Sequence, residues 1–221
     1  MLIEPNSNLY AYAITRDFGF APNPFHGSCT LATCKPRIRK SAKVGDWVLG
    51  IGGTKLRSVK RKCIVLMKVT EKMSFNDYWN EPRFSIKKPA RNGSHVQMLG
   101  DNIYHQDANN QWMQEDSHHS NADGSINFTN LKRDTKSDQV LISSHFYYFG
   151  DEAIELDLAS IGYHRRIRDY KKIALDESFP AVKLIKEIDQ KFRSEKNLVI
   201  SDPCQFSDFD KRVDQKTGKL Y

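Results

Sequence analysis

The segment NLYAYAIT, residues 8 to 15, alternates small or apolar side chains with tyrosine, a period of two that predicts a strand. GFAPNPFHGS then ends regular structure. Pro22 and Pro24 lack backbone donors, and Gly19 and Gly27 admit dihedrals closed to other residues. TLATCKPRIRKSA predicts a short helix or turn interrupted at Pro36, with its basic side chains pointing outward. A Gly45-Asp46 turn leads into the apolar strand WVLGIG. A polar, basic hairpin loop over residues 54 to 62 follows, then KCIVLMKVTEKM, the strongest strand pattern in the chain. SFNDYWNEPRFSIKKP predicts one helical turn capped by Ser74 or Asn76, then extended chain into Pro89.

Residues 90 to 138 are rich in turn formers, with room for short strands at NIYHQ and INF. A connection this long inside a domain is expected to carry a site or to move. DQVLISSHFYYFG restores a strand with Val140, Ile142 and Ser144 on one face, and DEAIELDLASIGYHRR reads as strand and turn. A helix is expected from about Phe179 to Ser194. Ser178 is its N-cap, Pro180 lies in its first turn, and Val182, Ile185, Ile188 and Phe192 share one face. Short strands, long polar loops and few helices place the chain in the α+β class, with a small twisted sheet or barrel and a C-terminal helix. One domain over residues 1–200, with a polar insertion at about 90–138 and a polar tail over 201–221, is the expected organisation.

Composition narrows this picture. Hydrophobic residues make up 39% and aromatics 11%, enough for a packed core. No apolar run approaches the roughly 18 residues of a membrane span, and MLIEPNSNLYAYAIT lacks the plan of a signal peptide; a cytoplasmic location is expected. The formal net charge of +7 favours polyanionic partners. Its excess gathers in three acid-poor clusters: residues 35–43, residues 55–62, and HRRIRDYKK at 164–172. Cys29, Cys34, Cys63 and Cys204 lack the paired spacing of a zinc knuckle, so reduced thiols are expected and no metal site is assigned.

The candidate chemistry falls in two stretches. In RDFGFAPNPFHGSCTLATCKPRIR, a Cys34 or Cys29 thiolate would be activated beside Lys35, Arg37 or His26. Asp17, between a strand and the rigid Pro-Asn-Pro segment, is an acid/base candidate, whereas Asp46 more simply caps a turn. In LGDNIYHQDANNQWMQEDSHHS, the residues Asp101, Asn102, Tyr104, His105, Gln111, Trp112, Asp116, His118 and His119 suit base recognition as well as metal ligation. His118 and His119, as neighbours in extended chain, would point to opposite faces. The glycines of GDWVLGIGG have the wrong spacing for a dinucleotide fingerprint.

The block AYAITRDFGFAPNPFHGSCTLATCKPRIRKSAKVGDWVLGIGG, with GDNIYH and SHFYYFG further on, resembles the second nucleotide-modification-associated domain family. The matching positions are Asp17, Phe20, Pro22, Asn23, Pro24, Cys29, Thr30, Cys34, Lys35, Pro36, Arg39, Gly45, Asp46 and Trp47. The resemblance implies a prokaryotic or phage setting of DNA modification and phage conflict, but no reaction and no cofactor. KVGDWVLGIGG followed by CIVLMKVTE is also similar to PUA-like domains of the EVE and ASCH type, whose cleft holds RNA or a modified base.

Three readings follow. The first is a binding module for a nucleotide or a flipped base. In it Trp47 and Phe25 stack, Asn23 and Asp17 hydrogen-bond the base, and Lys35, Arg37 and Arg39 hold phosphate; His26, Thr30, Asn102 and Tyr104 complete its ligand set. The second is an enzyme of base modification, a transferase or glycosylase-like hydrolase, using Asp17, Cys34 and His105. The third is an assembly partner in a defence or modification complex.

Overall fold

In the computed structural model of the chain, which describes residues 1–164, 167–214 and 219–220, the alternation of residues 8–14 becomes strand β1 (Asn8–Ile14). Leu9 and Ala11 enter one apolar cluster, and Tyr10, Tyr12 and Ile14 enter another on the opposite face. The remaining strands are β2 (Cys29–Leu31), β3 (Trp47–Gly52), β4 (Cys63–Lys68), β5 (Glu71–Met73), β6 (Tyr104–Gln106), β7 (Trp112–Gln114), β8 (Val140–Ser143), β9 (Phe146–Tyr148) and β10 (Tyr170–Ala174). The helices are α1 (Pro36–Ser41), α2 (Phe75–Asn80), α3 (His95–Met98), α4 (Phe128–Asp134) and α5 (Phe179–Lys191).

The main sheet has the order β10-β1-β3-β4-β9. β1 and β3 run parallel, from Leu9 opposite Trp47 to Ile14 opposite Gly52, and the other pairings are antiparallel. Both faces are covered, so its central strands read as apolar throughout. One face carries Trp47, Leu49 and Leu66 under Ala181, Leu184, Ile185 and Ile188 of α5. A Cβ at Gly52 would overlap the Val59 carbonyl, so close approach of the following loop accounts for a glycine there. A three-stranded sheet, β2-β8-β5, and the β6-β7 ribbon complete the strands; none of these sheets closes on itself.

A third apolar cluster joins two parts of the chain. Phe18, Phe20 and Phe25 from the loop after β1 meet Phe75, Tyr78, Phe84, Tyr104 and Leu131. This places the Pro-Asn-Pro segment against residues 75–135.

The α+β class and the C-terminal helix are as expected. α5 begins at Phe179 with Ser178 accepting from the Ala181 amide, and α2 begins after Ser74 in the same manner. Other expectations fail locally. Pro36 starts α1 instead of interrupting a helix, because the first helical position needs no N–H donor. Arg39 on α1 points inward and is fully buried. Residues 82–87 form a 3-10 helix where extended chain was expected, and INF leads into α4. VLISSHFYY is two strands, β8 and β9, belonging to different sheets. Over residues 153–164 no strand forms, only an isolated bridge from Ile154 to Cys63. Of the third basic cluster, Arg165 and Arg166 lie outside the described residues. Among the described residues, no helix is long and apolar enough to cross a membrane.

Candidate nucleophile site

The chain leaves β2 and turns sharply before α1. Cys34 (φ 57°) and Lys35 (φ 37°) both take left-handed dihedrals there. For residues with a side chain each such position costs roughly 1–2 kcal/mol, so the turn must be held from outside. Arg39 holds it. Its Nε donates to the Cys34 carbonyl at 2.8 Å, Nη1 to the Ser137 and Gln139 carbonyls at 2.8 and 2.6 Å, and Nη2 to the Asp134 carbonyl at 2.5 Å. One guanidinium thus joins the Cys34 turn to the end of α4.

That helix supplies the chemistry opposite the thiol. α4 is capped by Asn127 and ends in Arg133 and Asp134. Cys34 Sγ lies 3.8 Å from His119 Nε2, and His119 Nδ1 lies 2.9 Å from Asp134 Oδ2. Arg133 Nη2 is 3.9 Å from the sulfur and 3.1 Å from Asp134 Oδ2. The Cys34 amide donates to Asp134 Oδ1 at 3.0 Å and the Tyr104 hydroxyl to Oδ2 at 3.0 Å. The His119 carbonyl accepts from Gln114 and Asn130, which fixes the ring's origin.

Electrostatics favour a charged pair. Burial alone would push the Cys34 thiol up, but His119 and Arg133 together bring it below its ordinary value. Burial likewise opposes charge on His119, yet Cys34 and Asp134 raise its pKa above that of a free imidazole. Asp134, lifted by burial and pulled down further by His119 and Arg133, ends well below the usual carboxylate range. The Cys34 and His119 shifts both run in the direction of a thiolate facing an imidazolium that a carboxylate orients from behind, the arrangement of an activated nucleophile.

The same three groups offer ligand atoms within 4.8 Å of one another, the spacing of a metal centre. Two features argue for the acid–base reading. Both Asp134 oxygens are already occupied by donors, and the Arg133 guanidinium places a positive charge where a cation would sit.

The thiol opens on a cavity of about 280 Å³ at the C-terminal end of β1. Phe18 and Phe20 form an aromatic wall with His118 and His119, Arg16, Lys35 and Lys55 line it, and Val213 closes one side. His118 and His119 lie in a turn, not in extended chain, so both rings reach this cavity. Their charges differ. Burial, and then the neighbouring His119, push the His118 pKa down to about 3, which leaves it neutral.

Of the residues singled out from the sequence, Cys34, Lys35, Arg39, Tyr104, His118 and His119 meet in or directly behind this site. The others lie elsewhere. Asp17 is buried and accepts from the Tyr148 hydroxyl and, at 3.1 Å, from the Cys204 amide; burial raises its pKa, against these hydrogen bonds. Asn23 and Thr30 belong to a buried network around the Lys87 ammonium, which also takes in Asp101. Asn102 ties down the Tyr78 and Phe84 carbonyls. Phe25 is buried against Phe206, and Trp47 lies fully buried in the main core. His26 sits in an exposed turn. Arg37 is exposed, 4.0 Å from Asp169. His105 pairs with Glu115 at 2.9 Å and stacks on Trp79.

The sequence offers His119 for metal ligation or base recognition, not as the partner of Cys34, and Arg133 and Asp134 go unmarked in it. The available signal was Asn127, a helix cap whose short helix ends in an Arg-Asp pair.

No curated protein and no solved structure is significantly similar to the chain. A family model described as nucleotide modification associated domain 2 matches residues 6–209, which spans β1 through the segment after α5 and includes every group of the Cys34 site. The chain therefore belongs to the nucleotide modification associated domain 2 family.

Proposed function

We propose that the chain is an enzyme that modifies a nucleotide through Cys34 as a covalent nucleophile. The observation that carries this reading is the line from Cys34 Sγ to His119 Nε2, 3.8 Å, and from His119 Nδ1 to Asp134, 2.9 Å. The thiolate attacks an electrophilic carbon of the substrate, forming a C–S bond as the bond to the leaving group breaks. His119 gives its Nε2 proton to that leaving group. The neutral imidazole then takes a proton from the acceptor, water or an alcohol, as it displaces the sulfur and restores the thiolate. Arg133, beside the sulfur, offsets negative charge as it develops. Arg16, Lys35 and Lys55 suit the phosphate, and Phe18 and Phe20 suit the flat face of a base.

The prokaryotic DNA-modification and phage-conflict setting implied by the family resemblance is consistent with this chemistry. Cys34 is assigned here with His119 and Asp134, in place of Asp17 and His105, because those two side chains are engaged with other partners. A pure binding module would need the basic and aromatic walls but not a thiolate–imidazolium pair.

Alkylation by iodoacetamide, read at each cysteine by peptide mass spectrometry across pH, tests the reading. Cys34 should react with a midpoint below the roughly 8.5 of a free thiol. His119→Ala should slow that reaction about tenfold or more at pH 6.5. Cys29, Cys63 and Cys204, whose thiols burial pushes up, should stay unmodified in the folded protein. Deoxynucleoside monophosphates should protect Cys34. An ordinary midpoint for Cys34, unmoved by His119→Ala, would rule the proposal out.

A further inference from the structure

Four cavities differ in sign. The largest, about 650 Å³ beside α5, mixes Glu155, Asp157 and Glu187 with Lys183 and Lys191. A shallow one near His26 includes Glu71 and Arg83. Among the described residues, no acidic side chain lines the Cys34 cavity or a second of about 300 Å³. These two share a wall, since Ala13 and Thr15 line both. Lys60 and Arg61 line the second, with Tyr163 and His164 beside them.

Topology explains why they adjoin. β1 and β3 are parallel, ending together at Ile14 opposite Gly52. The loops that leave them, residues 15–20 and 53–62, rise on the same edge of the sheet. Crevices beyond the carboxyl ends of parallel strands are common ligand positions, and here that edge carries Arg16 and Lys35 on one side and Lys60 and Arg61 on the other. Acids reach this rim at Asp169, 3.6 Å from Lys35, and at Glu155, 3.4 Å from Lys62.

We propose that the two cavities form one groove for a single strand of nucleic acid, with the reacting nucleotide beside Cys34 and a neighbouring phosphate between Lys60 and Arg61. The inference rests on the reading of Cys34 as a nucleophile acting on a nucleotide, and it names the substrate class as a polynucleotide instead of a free nucleotide. A free nucleotide would use only the first cavity, and the basic, acid-free second one would have no partner. The strand is single because the space beside Cys34, walled by Phe18 and Phe20, takes one unpaired base; a duplex would have to flip that base out. The phosphodiester chemistry is common to DNA and RNA, so both are tested.

The experiment measures protection of Cys34 from iodoacetamide by deoxynucleoside monophosphates and by random-sequence DNA and RNA oligomers of about twelve nucleotides, a length that spans typical single-strand sites. The better oligomer should half-protect at a concentration at least about tenfold below the monophosphates. Its affinity should fall with salt, by about 0.7 in log–log slope for each phosphate contact. Lys60→Glu and Lys60→Glu/Arg61→Glu should bring the oligomer-to-monophosphate ratio back towards one. Exposed Lys60 alone suffices if the double variant fails to fold, as Arg61 also donates to the Tyr163 carbonyl at 3.3 Å. Equal protection by oligomer and monophosphate, or an oligomer advantage that survives Lys60→Glu, overturns the groove and leaves the nucleotide reading standing. Protection by neither ligand overturns both.

Discussion

Asp134 has two carboxylate oxygens and accepts five hydrogen bonds, from Cys34, Tyr104, His119 and two positions on Arg133. A buried carboxylate in such company stays ionised, and removing its charge leaves His119 and Arg133 without their counter-ion. Asp134→Asn should therefore cost about 3–5 kcal/mol in urea denaturation at pH 7. The pH dependence has a definite sign. A folded pKa depressed below the unfolded value of roughly 3.9 contributes stability that is complete above that pH and lost as pH falls below it. The gap between wild type and variant should be constant above about pH 4 and narrow progressively as pH falls below it, and a gap that does not narrow there would assign the loss to packing. In the sequence, Cys34 stands out because it sits among basic residues. Asp134 does not, since its partners come from three distant segments and no local period reports them.

Among the elements, α1 is the shortest of those that matter and α4 the least visible beforehand. Pro36 announces α1, but an outward face was expected for it because basic residues are normally solvated. Arg39 breaks that rule since its planar fork satisfies four carbonyls at once, from Cys34, Asp134, Ser137 and Gln139. Lysine cannot reproduce that fork. Arg39→Lys should leave buried carbonyls unpaired and lower stability by about 2–4 kcal/mol, with each unmet group costing about 1–3. It should also raise the alkylation midpoint of Cys34, because the left-handed turn loses its tether. An unchanged midpoint in a folded variant would show that the turn holds itself. The helix α5 was legible almost in full, from its Ser178 cap to its apolar stripe, because every signal it needs is local. The division of residues 140–148 between two sheets was not, because neither half differs in composition from the other.

For the molecule as a whole, the +7 charge is less informative than where acids are missing. The expectation of a polyanionic partner came from composition; the edge of the sheet that could meet it came only from topology. The segment after α5 is similar. The sequence marks residues 201–221 only as a polar tail; in the fold Cys204 and Gln205 donate to Asp17, Arg212 Nη2 donates to Asp116 at 2.7 Å, and Val213 reaches the Cys34 cavity. Asp17 thus pins a distant segment that walls the site. Asp17→Ala should release that pin, a loss of about 1–3 kcal/mol, and speed amide hydrogen exchange at Cys204 about tenfold or more. Exchange unchanged at Cys204 would mean the segment is held by other contacts.

The order of these groups along the chain bears on when the thiol becomes dangerous. A ribosome emits Cys34 long before His119, Arg133 and Asp134, and the wall at Val213 later still. Until residue 134 has emerged, Cys34 has the basic residues that follow it in sequence but lacks the His119–Asp134 pair and Arg133. On the proposed reading, the nascent chain carries its nucleophile without those activating partners until well past the middle of the 221 residues.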